Sequence, residues 1–274
     1  MTAVEAREEV GSCAPGRRAA TQVTVLNTAS GTKYAFAPGA AGTISKAMYG
    51  SVRLAHVMAT SASGSPFGLS TGQRVAVKVF SATALAARRS EAWLECPATE
   101  IEALSDLTGG AHSHTGIVQL YEVFASAHAV YAVMELLPEG DLFAYVSRHG
   151  PLPARVARGV VSQLVHAVAY MHARGVCHRD LSLENIVLAG GQPLGDAGAC
   201  VRGAISRASV ARVRASRRVV AVPRVKVIDF GLSGRTCDGS LPPRVPCGKS
   251  FYMAPELLQR CARAPRTLRA CMRS

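Results

Sequence analysis

The stretch His178-Arg179-Asp180-Leu181-Ser182-Leu183-Glu184-Asn185 constrains this chain more than any other. It puts a carboxylate, Asp180, and a carboxamide, Asn185, five positions apart on one short segment. A long apolar-periodic run precedes it, and the apolar run Ile186-Val187-Leu188 that follows reads as a strand. A carboxylate held beside an amide at a loop end suits two tasks: accepting the proton of a hydroxyl group and ligating a hard metal ion. A surface loop can carry these residues by chance, so partners elsewhere in the chain must decide.

With 274 residues, 49% of them hydrophobic, the chain can bury a sizeable core. At about 100–200 residues per domain it forms one or two domains. Its eight cysteines include no C-x-x-C pair, which argues against a zinc site or a disulfide framework and for reduced cytoplasmic thiols. The first thirty residues carry Glu5, Glu8 and Glu9 and no apolar core, unlike a signal peptide. No apolar run approaches the roughly 20 residues of a membrane span, so no membrane partner is expected. The net charge of +13 is local: seven arginines lie between Arg202 and Arg224 and five between Arg260 and Arg273, with no acid in either segment. The excess is therefore not a binding face, and a nucleic-acid partner is not expected.

Residues 1–33, with little periodicity, read as a disordered leader. Ser45-Lys46-Ala47-Met48-Tyr49-Gly50-Ser51-Val52 follows; it is either an ordinary hairpin or a loop whose glycine lets the backbone approach phosphates. Val75-Ala76-Val77-Lys78-Val79 alternates as a strand, with Lys78 at its exposed end. Between them His56–Arg74, rich in Ser, Gly and Thr, is a loop insertion. Leu94 to Leu107 reads as a helix with Pro97 in its first turn. Glu100, Ala103 and Leu104 share one face of it. Glu102 is the competing acid, facing away if Leu104 faces in. Ile117–Phe124 and Ala129–Glu135 read as strands. Pro151-Leu152-Pro153 opens a helix to about Ala173, capped by Gly175, with Val160, Leu164, Val168 and Met171 as its buried stripe. Residues 190–224 lack a convincing period and read as a solvated low-complexity basic insertion. A strand resumes at Val225–Ile228, before Asp229-Phe230-Gly231, and Cys247-Gly248-Lys249-Ser250 leads to Ala254-Pro255-Glu256.

Five elements thus stand in order: Gly50 with Val52, Lys78, Glu100, the HRDLSLEN segment, then D-F-G to A-P-E. As a set they resemble the eukaryotic protein kinase domain of Ser/Thr type. Met134 to Leu188 is most similar to the calcium/calmodulin-dependent and AMP-activated kinase group. The resemblance covers residues 34 to about 258 apart from the two insertions. It implies an α+β, two-lobed fold: an N-lobe (34–137) with an antiparallel sheet and an αC helix, and an incomplete, mainly helical C-lobe (138–274), C-terminally truncated after A-P-E.

It also implies ATP and Mg²⁺ as cofactors, bound between the lobes, and phosphoryl transfer by positioning and electrostatics. By the resemblance Asp180 is the base, Lys78 meets the α- and β-phosphates, and Glu100 orients Lys78. Asn185 and Asp229 hold Mg²⁺. Ser45, Ala47, Gly50, Val52, Ala76, Lys78, Met134, Glu135, Leu137, Asp141 and Val187 line the ATP site, with Met134 as gatekeeper, Glu135 and Leu137 offering backbone groups to adenine, and Asp141 reaching the ribose. The segment before A-P-E lacks the tyrosine-kinase pattern, which implies Ser/Thr hydroxyls of protein substrates as acceptors. Asp141 and Glu184 stand where some relatives read basic residues, which implies basic substrates.

The chain departs from the family pattern at two loop glycines (Ser45, Ala47), at Ser182 in place of a lysine, and in the absent C-terminal helices. Those departures keep open a catalytically inactive kinase fragment or pseudokinase that acts as a binding module. A hydroxyl and an ammonium have also traded places between positions 182 and 249, so Lys249 is expected to fold back toward Asp180 and supply the charge Ser182 lacks.

Overall fold

The computed structural model describes residues 7–11, 23–36, 42–47, 49–60, 68–87, 96–109, 113–189, 222–236 and 247–263. The chain divides into two units: Met1–Ser113 with Val118–Leu136, and His114–Ile117 with Leu137–Ser274.

The first unit is built on one eight-stranded antiparallel sheet. Its strands are β1 (Arg7–Gly11), β2 (Val23–Asn27), β3 (Lys33–Phe36), β4 (Thr43–Ala47), β5 (Gly50–Ala59), β6 (Arg74–Ser81), β7 (Leu120–Ala125) and β8 (Ala129–Glu135). The order is β1-β2-β3-β5-β6-β8-β7, with β4 also pairing β5. Alternation along β6 sends Val75 and Val77 to one face and Ala76 and Lys78 to the other. The valine face is a core with Leu26, Tyr34, Phe36, Ala55, Val57, Phe124 and Tyr131. Tyr34 stacks on Phe124 (centroids 5.9 Å apart) and Phe124 on Tyr131 (4.9 Å). The same core buries one acid, Glu122, whose carboxylate accepts from the Tyr34 hydroxyl at 2.8 Å. Burial, then the Glu122 charge and hydrogen bond, push the Tyr34 phenol well above its ordinary range.

The leader expected over 1–33 is corrected here for Arg7–Gly11 and Val23–Thr32. These residues add two strands and a turn to the sheet, with Leu26 only 1% exposed and the Thr28 hydroxyl donating to the Thr32 carbonyl at 3.0 Å. The run Val23-Thr24-Val25-Leu26 carried the signal, but a short strand with one inward leucine leaves little periodicity to read.

Helix α1 (Ala82–Ala87) follows β6, and α2 (Pro97–Thr108) precedes β7. Pro97 stands in the first turn of α2, where its missing N–H costs nothing, and the Gly109 amide closes the other end on the Ser105 carbonyl. The helix begins at Pro97, and Leu94 and Glu95 lie outside the described residues. Glu100, Ala103, Leu104 and Leu107 are buried and Glu102 is exposed, which settles the choice between the two acids.

The second unit carries α3 (Leu142–His149), α4 (Ala154–Ala173), β9 (Val176–Cys177), β10 (Ile186–Leu188), β11 (Val225–Val227), β12 (Gly234–Arg235) and α5 (Pro255–Arg263). Strands β10 and β11 pair antiparallel, as do β9 and β12. Val156, Val160, Ala167 and Met171 form the buried face of α4. Val168, expected there, is only half-buried. Ala167 takes its place because the backbone of Gly116 approaches closely: a Cβ on Gly116 would lie 3.1 Å from that of Ala167. Gly175 adopts φ 68°, a left-handed turn that frees the chain from the helix.

Residues 190–221 of the expected insertion lie outside the described residues. Of its last three residues Val222 and Arg224 are exposed, and only Pro223 departs from a solvated segment. Pro223 is buried, its carbonyl accepts from Gln163 Nε2 at 2.8 Å, and the Arg224 carbonyl accepts the Ala189 amide at 2.9 Å. Among the described residues no helix is long and apolar enough to cross a membrane.

Candidate active site

In the first unit the sheet register assembles the predicted nucleotide residues. Ser45 pairs with Val52 and Val52 with Lys78, while Leu54, Ala76 and Met134 form the next row. Directly opposed residues share a face, so Ser45, Val52, Ala76, Lys78 and Met134 stand on the side away from the valine core. There Lys78 Nζ lies 2.7 Å from each carboxylate oxygen of Glu100, and both residues are buried. Removing one would take its bidentate counter-charge from a buried group, a change that costs about 3–5 kcal/mol in buried ion pairs. Lys78 Nζ also lies 5.6 Å from the Phe80 ring centroid.

The hairpin of β4 and β5 opposes Ala47 to Gly50. A Cβ on Gly50 would overlap the carbonyl oxygen of Val79 on β6, so the first demand for that glycine comes from packing within the sheet. Glu135 is tied to Gln119 twice: its amide donates to the Gln119 carbonyl at 2.9 Å, and its carboxylate accepts the Gln119 amide at 3.3 Å.

The second unit holds Leu137, Asp141, Val187 and the catalytic-loop residues. Leu137 is half-buried and Val187 is buried in β10. Asp141 caps α3, its Oδ1 accepting from the Ala144 amide at 2.7 Å.

The loop after β9 is organised by His178. Burial pushes this imidazole below its ordinary range, against the opposing pull of the Ile228 carbonyl and the Asp229 and Asp180 charges, which favours the neutral ring. Nε2 donates to the Ile228 carbonyl at 2.9 Å, leaving Nδ1 to accept the Asp180 amide at 3.3 Å. The edge of His178 also meets Phe230, with centroids 4.8 Å apart. Arg179 and Asp229 adopt φ values of 65° and 61°, conformations non-glycine residues hold only under surrounding constraint. For Arg179 the constraint is its guanidinium, which donates to the carbonyls of Leu232 (2.6 Å) and Ser233 (3.0 Å).

Asp180 is gripped from two sides. Asn185 Nδ2 donates to its Oδ2 and to its backbone carbonyl, each at 2.8 Å. The backbone amide of Lys249 donates to Oδ1 at 3.1 Å. The turn that brings Lys249 there requires Gly248, at φ 92°: a Cβ would lie 2.5 Å from the Arg179 carbonyl oxygen and 3.2 Å from Asp180 Oδ1. Lys249 Nζ then reaches Ser182 Oγ at 2.7 Å and Glu184 Oε2 at 3.4 Å. The sequence reading did not single out Gly248 or the structural part of His178. A glycine directly before the unusual Lys249 was the available signal.

With its amide nitrogen spent on Asp180, the side-chain oxygen of Asn185 is the atom that could serve a metal ion. The Ile228 amide donates to the Asn185 carbonyl at 3.0 Å, which stitches Asp229 beside it. The Asn185 side-chain oxygen and the Asp229 carboxylate are hard oxygen donors of the kind that would suit Mg²⁺. Among the described residues no group of three or more His, Cys, Asp or Glu could hold a metal.

A sheet that carries a buried Lys–Glu pair, and a loop that fixes an Asp beside an Asn, are features of the protein-kinase class. The protein kinase domain profile matches residues 66–267, and the chain belongs to that family. It is 33% identical over 189 residues to a probable myosin light chain kinase of Dictyostelium discoideum, covering 69% of this chain and 39% of the relative. Against CBL-interacting protein kinase 30 of Oryza sativa subsp. japonica it is 35% identical over 196 residues, 70% of this chain and 33% of the relative. Against mouse (Mus musculus) calcium/calmodulin-dependent protein kinase type IV it is 33% identical over 153 residues, 56% of this chain and 26% of the relative. The expected α+β two-lobed class and the likeness to calcium/calmodulin-dependent kinases are thereby borne out. The chain spans well under half the length of these relatives. The profile begins at residue 66, so β1 to β5 lie outside it.

Proposed function

We propose that the chain transfers the γ-phosphate of ATP to Ser or Thr hydroxyls of protein substrates, in the cytoplasm. The grip on Asp180 by Asn185 Nδ2 and the Lys249 amide carries this reading. Two donors fix the carboxylate's orientation, and a carboxylate has lone pairs left to accept the hydrogen bond of an incoming hydroxyl. Asp180 thus orients the acceptor and takes its proton. Lys78, held by Glu100, meets the α- and β-phosphates. Ser45, Ala47, Val52, Ala76 and Met134 face the nucleotide from the sheet, while Glu135 and Leu137 offer it backbone groups; Asp141 and Val187 complete the set. Asn185 and Asp229 hold Mg²⁺, which when bound offsets the charge on the phosphate oxygens. Lys249 keeps a positive charge beside the base, where Ser182 cannot supply one.

The missing loop glycines favour the second reading, a non-catalytic binding module. A phosphotransfer assay with Mg·ATP and a Ser peptide separates the two. Transfer that falls about 10²–10⁴-fold in Asp180→Asn supports the kinase reading. Mg·ATP binding without transfer in either protein supports the module.

A further inference from the structure

Both acids that would read a basic substrate are already engaged inside the chain. Asp141 spends Oδ1 on the first turn of α3. Glu184 sits one residue before Asn185 on the 3-10 turn Leu183–Asn185, four positions from the base. Its Oε2 is shielded from solvent and has no hydrogen-bond partner among the described residues, and Lys249 Nζ at 3.4 Å is its counter-charge. The same ammonium donates to the Ser182 hydroxyl at 2.7 Å, and Ser182 is only 2% exposed. The carboxylate of Glu184 is thus matched by a cation from within the chain.

We propose that Lys249 is a specificity-determining residue: it fills the anionic position at Glu184, so the chain accepts segments that are uncharged next to the hydroxyl rather than basic ones. This rests on the kinase reading above. A cationic side chain of the acceptor can reach Glu184 Oε2 only by displacing Lys249, which exchanges one ion pair for another. An internal cation that cancels an acid is a device against the wrong partner as much as for the right one. The anchoring makes displacement costly, because the Lys249 backbone is bonded to Asp180 and the adjacent turn needs Gly248.

The test compares Ser peptides carrying one Arg at successive positions upstream of the acceptor with an all-Ala parent. Each peptide is measured on the full chain by fluorescence anisotropy and by kcat/KM. The parent protein should show an Arg-to-Ala ratio within about twofold, in line with a part-exposed pair whose acid is already matched. Lys249→Thr should raise the ratio roughly fivefold at one or more positions, and adding Glu184→Gln should return it to the parent value. Lys249→Gln repeats the test with the ammonium replaced by an amide. Because each ratio is taken on one variant, a loss of rate common to both peptides cancels. A parent that already favours an Arg peptide more than fivefold, an unchanged ratio in Lys249→Thr and Lys249→Gln, or no peptide capture by any variant would each overturn the proposal. Failure of the kinase reading is visible separately, as absence of Mg·ATP binding or of transfer to any peptide.

Discussion

The two units place their candidate residues by different means. In the first, position is a property of the sheet: Ser45, Val52 and Lys78 are neighbours because β4, β5 and β6 pair in that register, and Leu54, Ala76 and Met134 because β5, β6 and β8 do. One side-chain contact, Lys78 with Glu100, is then enough to fix the reactive end. In the second, a short loop has no ladder to hold it, and nearly every placement is a side-chain bond: His178 to Ile228, Arg179 to Leu232 and Ser233, Asn185 to Asp180, Lys249 to Asp180 and Ser182. A ladder tolerates changed side chains, so Ser45 and Ala47 stand in place of glycine on an intact hairpin. A side-chain network does not: Ser182 and Lys249 are bonded to each other, so a change at one falls on the other.

The network therefore offers the largest effect. Lys249→Ala should lower kcat by about 10²–10³, the scale of one preorganised donor at developing charge, roughly 3–4 kcal/mol. Nucleotide affinity should stay within about twofold, since the Lys249 backbone amide still meets Asp180. The exchange Ser182→Lys with Lys249→Thr should recover much of the loss. A Lys249→Ala protein that turns over as fast as its parent would show that the ammonium serves Glu184 alone.

The same contrast explains what could be read in advance. The HRDLSLEN segment, Lys78 and D-F-G were legible because their chemistry is written in residue types at fixed spacing. The choice of Glu100 over Glu102 followed from the face Leu104 takes on α2, and burial agrees. The strands at 7–11 and 23–27 were not legible: β1 lies at the sheet edge, and β2 inserts one fully buried leucine. Nor could sequence show that Ala167 would replace Val168 on the buried face of α4, because the reason is the approach of a backbone distant in sequence, at Gly116. Lys249 was expected, from the reversed residue types, to fold back toward Asp180; its backbone amide meets that carboxylate, whereas its ammonium goes to Ser182. The involvement of Glu184 was not expected, since it depends on where a flexible lysine side chain ends.

A smaller effect tests whether the N-terminal ribbon belongs to the first unit. Leu26→Ala deletes a fully buried side chain that packs in the valine core with Tyr34 and Phe36. The expected loss lies at the low end of roughly 2–5 kcal/mol, because a ribbon near the sheet edge can partly collapse into the space. Urea unfolding followed by tyrosine fluorescence would measure it. An unchanged midpoint would mean that the core closes without the ribbon and that the first unit begins at β3.

Gly50→Ala should have the smallest effect of the three and sharpens the contrast most directly. If the β4–β5 hairpin covers phosphate as proposed, its glycine is expected to serve the ligand, so that alanine weakens nucleotide binding and leaves the fold alone. The sheet points the other way. The added methyl would meet the Val79 carbonyl oxygen, a backbone atom that cannot swing aside, and β5 or β6 would have to move. Gly50 has no left-handed φ, so the cost is steric rather than conformational. An overpacked contact of this kind costs about 1–3 kcal/mol. Thermal unfolding without nucleotide should therefore show the loss in full, with Ser51→Ala at the neighbouring position as the control that does not. Nucleotide affinity should fall only as far as the Val52–Lys78 pairing is disturbed, because those two residues lie two positions along the same ladder. If Gly50→Ala instead melts with its parent and binds nucleotide more weakly, the glycine serves the ligand. The first unit would then place its site by chemistry at that point, as the second unit does throughout.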